Sequence, residues 1–169
     1  MKLHPCPACG GRTAFEDPTK EFVTCVKCGG RFDGPDIREY TLRPSGKRPI
    51  SFRGEEVTSG SSRRRPEKDN RWHDISIFET MAGTFVLLIE FHSQWEGELG
   101  RTWVESLAGP DAVGDTLERF DPVPEGIGFP PSSSYDEKRQ RMAADLRIRF
   151  QDLVAELLED LPGCEQVIP

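Results

Sequence analysis

The sequence predicts an α+β fold with a small cysteine-held module in front of it. Three observations carry that reading. Two C-x2-C pairs, Cys6/Cys9 and Cys25/Cys28, lie near the start of the chain. Two β-patterned runs, 73–80 and 85–91, flank the short turn Met81-Ala82-Gly83-Thr84. A long amphipathic stretch closes the chain, opened by Ser134 with Glu137 three residues on and stopped by Pro162-Gly163.

Taken in order, residues 1–34 form the cysteine module. Arg12-Thr13-Ala14-Phe15-Glu16 and Glu21-Phe22-Val23-Thr24-Cys25 read as two strands around a turn at Asp17-Pro18-Thr19-Lys20, and Arg31-Phe32 offers a third. Residues 35–71 read as a basic connector. Tyr40-Thr41-Leu42 and Ile50-Ser51-Phe52 have the makings of short strands, while Thr58-Ser59-Gly60-Ser61-Ser62-Arg63-Arg64-Arg65-Pro66 has the composition of a mobile linker. Residues 72–169 form the α+β domain. Its run 85–91 is almost continuously apolar, as expected of a central strand buried on both faces. Thr102-Trp103-Val104-Glu105 supplies a third strand, and a short helix starts at Pro110-Asp111. The last helix carries Met142, Leu146, Phe150, Leu153, Val154, Leu157, Leu158 and Leu161 on one stripe, which should lie on the sheet. The expected whole is a small antiparallel sheet packed with one short and one long C-terminal helix.

Charge is unevenly spread. Residues 1–72 hold 15 Lys/Arg and 10 Asp/Glu, a net of +5, whereas 73–169 hold 7 and 19, a net of −12. A basic front and an acidic back suggest surfaces with different partners. No apolar run reaches 18 residues, and the first residues lack the apolar core of a secretory signal, so a cytoplasmic location is expected.

The cysteines have metal-site spacing. Fifteen residues separate the two C-x2-C pairs, and each pair is followed by Gly-Gly. A two-residue gap lets one tight turn present two thiolates, and two such turns complete a tetrahedron. Glycine after the second Cys lets the backbone curl away from the metal. Four protein ligands close the site to water, so its role is structural rather than catalytic. A redox C-x-x-C would sit in a βαβ setting that is not visible here; iron remains open, since it accepts the same ligands. Cys164, beyond the last helix, reads as a lone thiol.

These knuckles, with the strands around them, resemble the zinc-ribbon superfamily over about residues 4–32. The resemblance implies a structural Zn2+ held by Cys6, Cys9, Cys25 and Cys28. It implies no function, because such ribbons serve many proteins.

Two further candidate sites follow from the residues alone. In the connector, Arg63, Arg64, Arg65, Lys68 and Arg71 could neutralise phosphates, with Tyr40, Phe52 and Trp72 available to stack on bases. The alternative is a solvated, charged linker. On the hairpin, a two-residue loop at Ala82-Gly83 would oppose His73 to His92 and put Glu90 on the same face. Two histidines and a carboxylate are the ligand set of a facial metal centre, although a one-residue slip would separate the pair.

No Walker loop, G-x-G-x-x-G, H-E-x-x-H or G-x-S-x-G occurs, which tilts the reading away from an enzyme without closing the question. The expected function is a non-catalytic regulatory or adaptor protein. Its front would contact nucleic acid or a nucleic-acid-bound protein machine, and its acidic domain would engage another protein. An acidic inhibitor imitating nucleic acid and a metal-dependent enzyme using His73, His92 and Glu90 are the alternatives.

Overall fold

The computed structural model describes residues 3–6, 8–14, 22–33, 37–125 and 136–164. Four short strands come first. β1 (Leu3–Pro5) pairs antiparallel with β2 (Arg12–Ala14), and β3 (Phe22–Thr24) with β4 (Arg31–Asp33). Each cysteine knuckle is therefore the turn of its own hairpin. The sequence suggested instead that the strands on either side of Asp17-Pro18 would pair; that turn lies outside the described residues. The knuckle can reverse the chain by itself because Gly10 and Gly29 take left-handed backbone, φ +64° and +69°.

Behind these strands is a five-stranded antiparallel sheet whose spatial order is its sequence order. It comprises β5 (Arg38–Leu42), β6 (Ile50–Ser61), β7 (Arg71–Thr80), β8 (Phe85–Ser93) and β9 (Arg101–Leu107). The α+β fold expected from the sequence is present, but the sheet begins earlier than expected. Residues assigned to a mobile connector supply two of its strands, and Thr58-Ser59-Gly60-Ser61 is strand, not linker. The glycines there have packing reasons. A Cβ at Gly60 would lie 2.7 Å from Leu153 Cδ1, and one at Gly54 would lie 2.3 Å from the Glu79 carbonyl oxygen. At Gly54 the obstacle is backbone, so only glycine fits; at Gly60 a larger residue would have to displace the Leu153 side chain.

The sheet curls. A bulge between Glu56 and Thr58 adds Val57 to β6, and an extra residue in one strand bends it. The loop after β5 reaches across to the far edge, where the Ser45 N–H donates to the Thr102 carbonyl at 2.9 Å and the Thr102 N–H donates to Ser45 Oγ at 2.9 Å. Inside the curl, Phe78, Val86 and Leu88 form a small core with Tyr40, Leu42, Phe52 and Val104. Tyr40, Phe52 and Phe78 make ring contacts with centroids 4.7–5.5 Å apart.

The outer face carries the larger core. Helix α1 (Pro110–Arg119) and helix α2 (Asp136–Asp160) cover it. Ile75, Ile77, Leu87 and Ile89 from the sheet meet Val113 and Leu117 of α1 and Phe150, Leu153, Val154 and Leu157 of α2. The stripe read from the sequence is the buried one, and each fully buried side chain of this kind contributes roughly 1.5–3 kcal/mol. Of the expected capping box only Glu137 is within the described residues.

The β7–β8 hairpin forms, one residue out of the expected register. Ile77 opposes Leu87, Asp74 opposes Glu90, Trp72 opposes His92 and His73 opposes Phe91. The loop has three residues, not two: Thr80 opposes Thr84 through the 2.8 Å bond from the Thr80 N–H to the Thr84 carbonyl, and Gly83 has φ +81°. A three-residue loop ending in left-handed glycine is a standard hairpin solution.

Candidate metal centre

The four cysteine sulfurs converge. One ligand atom from each of Cys6, Cys9, Cys25 and Cys28 lies within 4.8 Å of all the others, the one such cluster among the described residues. Sγ of Cys6 is 3.8 Å from that of Cys28, and Sγ of Cys9 is 3.7 Å from that of Cys25. A tetrahedron with metal–sulfur bonds of about 2.3 Å has edges of about 3.8 Å. The donor set and its spacing fit a tetrahedral metal ion.

The two knuckles are built alike. The Gly10 N–H donates to the Cys6 carbonyl at 2.8 Å and the Cys6 N–H to the Gly11 carbonyl at 2.7 Å. In the second knuckle, the Gly29 N–H donates to the Cys25 carbonyl at 2.8 Å and the Cys25 N–H to the Gly30 carbonyl at 2.9 Å. Cys6 and Cys25 are buried, Cys9 and Cys28 exposed. Backbone also faces the sulfurs. The Cys28 and Lys27 N–H groups donate to Cys25 and hold its thiol down at about 6. The Gly30 N–H lowers Cys28 too, but the thiols of Cys25 and Cys9 outweigh it and push Cys28 up to about 11. Four sulfurs this close cannot all ionise unless a cation sits among them. The second glycine of each knuckle is closely packed: a Cβ at Gly11 would fall 3.0 Å from the Lys27 side chain and 3.2 Å from Cys9 Sγ, and one at Gly30 3.3 Å from Cys28 Sγ.

The second expected metal set does not assemble. The observed register sends His73 to the helix-covered face and leaves Glu90 and His92 on the other, because one residue of slip inverts every side chain of one strand relative to its partner. His73 is fully buried between Phe91 and Phe150, with ring centroids 5.2 Å from each. His92 stacks on Trp72, and its Nε2 is 3.0 Å from Asp74 Oδ2.

The basic segment is engaged within the fold. The Arg71 guanidinium forks onto Glu98, with Nε donating at 2.7 Å and Nη2 at 2.5 Å, and both side chains are mostly buried. Arg63 lies over the Trp72 ring at 4.1 Å. Arg64 pairs with Glu156 of α2, and Arg65 with Asp69 at 3.2 Å. Lys68 is exposed.

Asp69, which the sequence reading passed over, organises this turn. It is 3% exposed and accepts the Arg64 and Arg65 N–H groups at 2.9 and 2.7 Å. Burial works against its charge, but those N–H groups and the nearby Arg149 guanidinium hold its carboxyl below the usual range. Arg149 reaches from α2 to the Arg71 carbonyl at 3.0 Å, tying the turn to the helix. The available signal was Asp69-Asn70 after a charged run, a turn pair whose side chains bond to nearby backbone.

No described helix is long and apolar enough to cross a membrane. Comparison with known proteins gives no matching family model, no matching curated protein and no matching solved structure. The class is therefore defined by structure alone: a four-sulfur centre able to hold a metal ion, in front of an α+β domain.

Proposed function

We propose that this chain is a non-catalytic, zinc-bearing adaptor of zinc-ribbon type. Cys6, Cys9, Cys25 and Cys28 hold the zinc, and the α+β domain engages a protein partner. The observation that supports this best is the closed sulfur cluster. All four positions of a tetrahedral ion are taken by thiolates, which suits a structural ion and leaves no place for a substrate. The ion fixes the knuckles; it takes part in no reaction.

Engagement of Arg63, Arg64, Arg65 and Arg71 favours a protein-mediated link to nucleic acid over direct phosphate contact by this turn. Each guanidinium would have to leave a carboxylate or a ring before meeting a phosphate, which offsets the gain. The test has two parts. Elemental analysis of the purified chain should give one zinc per chain, lost when Cys25 is replaced by Ser. Capture from native-host lysate should then retain a protein partner after nuclease treatment. Loss of every partner on nuclease treatment, with bare nucleic acid bound through Arg63, Arg64 and Arg65, would point to direct contact instead.

A further inference from the structure

We propose that the outer edge of β9 is a strand-addition site, taking an extended segment of another protein that carries a basic residue opposite Glu105. The inference deepens the adaptor reading and rests on it for the existence of a partner.

Strand β9 ends the sheet, pairing only with β8 among the described residues. Its outward backbone can be assigned. Thr102 gives its N–H and carbonyl to Ser45, so its hydrogen-bonding groups point away from β8. Backbone groups alternate along an antiparallel strand, so Val104 and Ser106 point outward as well. Neither has a backbone bond beyond the sheet among the described residues. Ser45 thus fills the first rung of an added strand, and the next two rungs present two N–H groups and two carbonyls. Unpaired edge groups of this kind are a template for another chain.

There is room for that chain. A cavity of about 1090 Å³ follows β9 from Arg101 to Glu105 and touches both of its faces, with Trp103 and Phe120 on the helix side and Val104 on the other. A strand laid on the edge alternates its side chains between those two sides.

Charge argues against a second copy of this chain. Antiparallel self-pairing that uses both open rungs must set Val104 against Ser106 of the second copy. That register puts Glu105 directly opposite Glu105, and like charges directly opposed destabilise a pair. A Lys or Arg in the incoming strand reverses the sign. It would lie beside exposed Glu105, while its neighbours sit opposite Val104 and Ser106.

The test uses the full chain, 15N-labelled, with the synthetic peptide Thr-Val-Thr-Lys-Thr-Val-Thr and a copy carrying Glu in place of Lys. The Lys peptide should shift the amides of residues 102–107 and bind about tenfold tighter than the Glu peptide. Val104→Pro removes one outward N–H without removing a bond to β8, and should weaken binding at least about tenfold. Should that variant fail to fold, Glu105→Lys takes its place and should invert the preference between the peptides. Unshifted β9 amides, equal binding by folded Val104→Pro, or a dimer joined through β9 would each overturn the proposal. A protein partner still captured from lysate by Val104→Pro would sink the β9 site while leaving the adaptor reading intact.

Discussion

The front of the molecule is built from strands of three residues each, while the sheet behind it buries twelve apolar side chains in one cluster with two helices. Among the described residues, the first region converges on four sulfurs; the second holds itself by burial. A segment so short cannot offset its chain entropy with a core, and on the proposed zinc reading metal ligation supplies the difference. The contrast teaches that stability in this chain is bought in two independent ways, so a perturbation aimed at one region should spare the other.

The largest expected effect is loss of the metal. Cys25→Ser removes a buried member of the sulfur cluster, and if the cluster holds zinc as proposed, the ion supplies on the order of 10 kcal/mol or more to such a module. Residues 3–6, 8–14 and 22–33 should lose amide-exchange protection and the chain its zinc, while the thermal midpoint of the sheet stays in place. A sheet midpoint that falls with the zinc would show one cooperative unit and break the comparison.

The converse change is Phe150→Ala. Phe150 is 2% exposed, stacks on Phe120 at 5.4 Å and meets the His73 ring. Its truncation should cost about 3–5 kcal/mol in denaturant unfolding of the sheet. Zinc stoichiometry should not change.

The two regions also differed in how far they could be read from the sequence. Metal chemistry is local: two thiols at a fixed gap and a glycine after each pair state the site outright. The long helix was equally plain, because its apolar stripe repeats at spacings of three and four from Met142 to Leu161. Strand β6 was not. Its Thr58-Ser59-Gly60-Ser61 is small and polar because α2 presses Leu153 and Leu157 onto Gly60, a reason that exists only in three dimensions. The run Arg63-Arg64-Arg65 looked mobile because its partners Trp72, Asp69 and the distant Glu156 meet it only once the turn and α2 are in place. The hairpin was visible, but its register turned on whether the loop held two residues or three. That single residue decided whether His73 and His92 shared a face.

The arginines of the former connector sharpen the contrast within the sheet region. Arg71 and Glu98 are 11% and 14% exposed, so Arg71→Met leaves a mostly buried carboxylate without its fork and should cost on the order of 3 kcal/mol. Arg64 and Glu156 are about half exposed, and Arg64→Met should cost roughly 0–1 kcal/mol. Parallel urea titrations of the two variants check the difference. Equal effects would mean that burial does not separate them.

The last effect is one of pH, and it belongs to the sheet alone. His73 is fully buried, and neither ring nitrogen has a hydrogen-bond partner at ordinary distance and angle. Burial lowers its pKa from 6.5 to about 4; the Pro122 carbonyl favours the charged form, while Arg149 and His92 oppose it. As pH falls through 6.5, the unfolded chain takes up a proton that the folded chain refuses until about pH 4. Stability from the neutral imidazole is therefore complete above 6.5 and is lost as pH falls toward 4. Between pH 7 and 5.5 the loss should be about 1 kcal/mol. His73→Leu keeps an apolar group between Phe91 and Phe150 and removes the proton site. Urea unfolding of both proteins across that range should show the variant's profile flatter by this amount. The other titrating groups are common to both, so they cancel in the difference, and parallel profiles would show that the His73 pocket admits the proton after all.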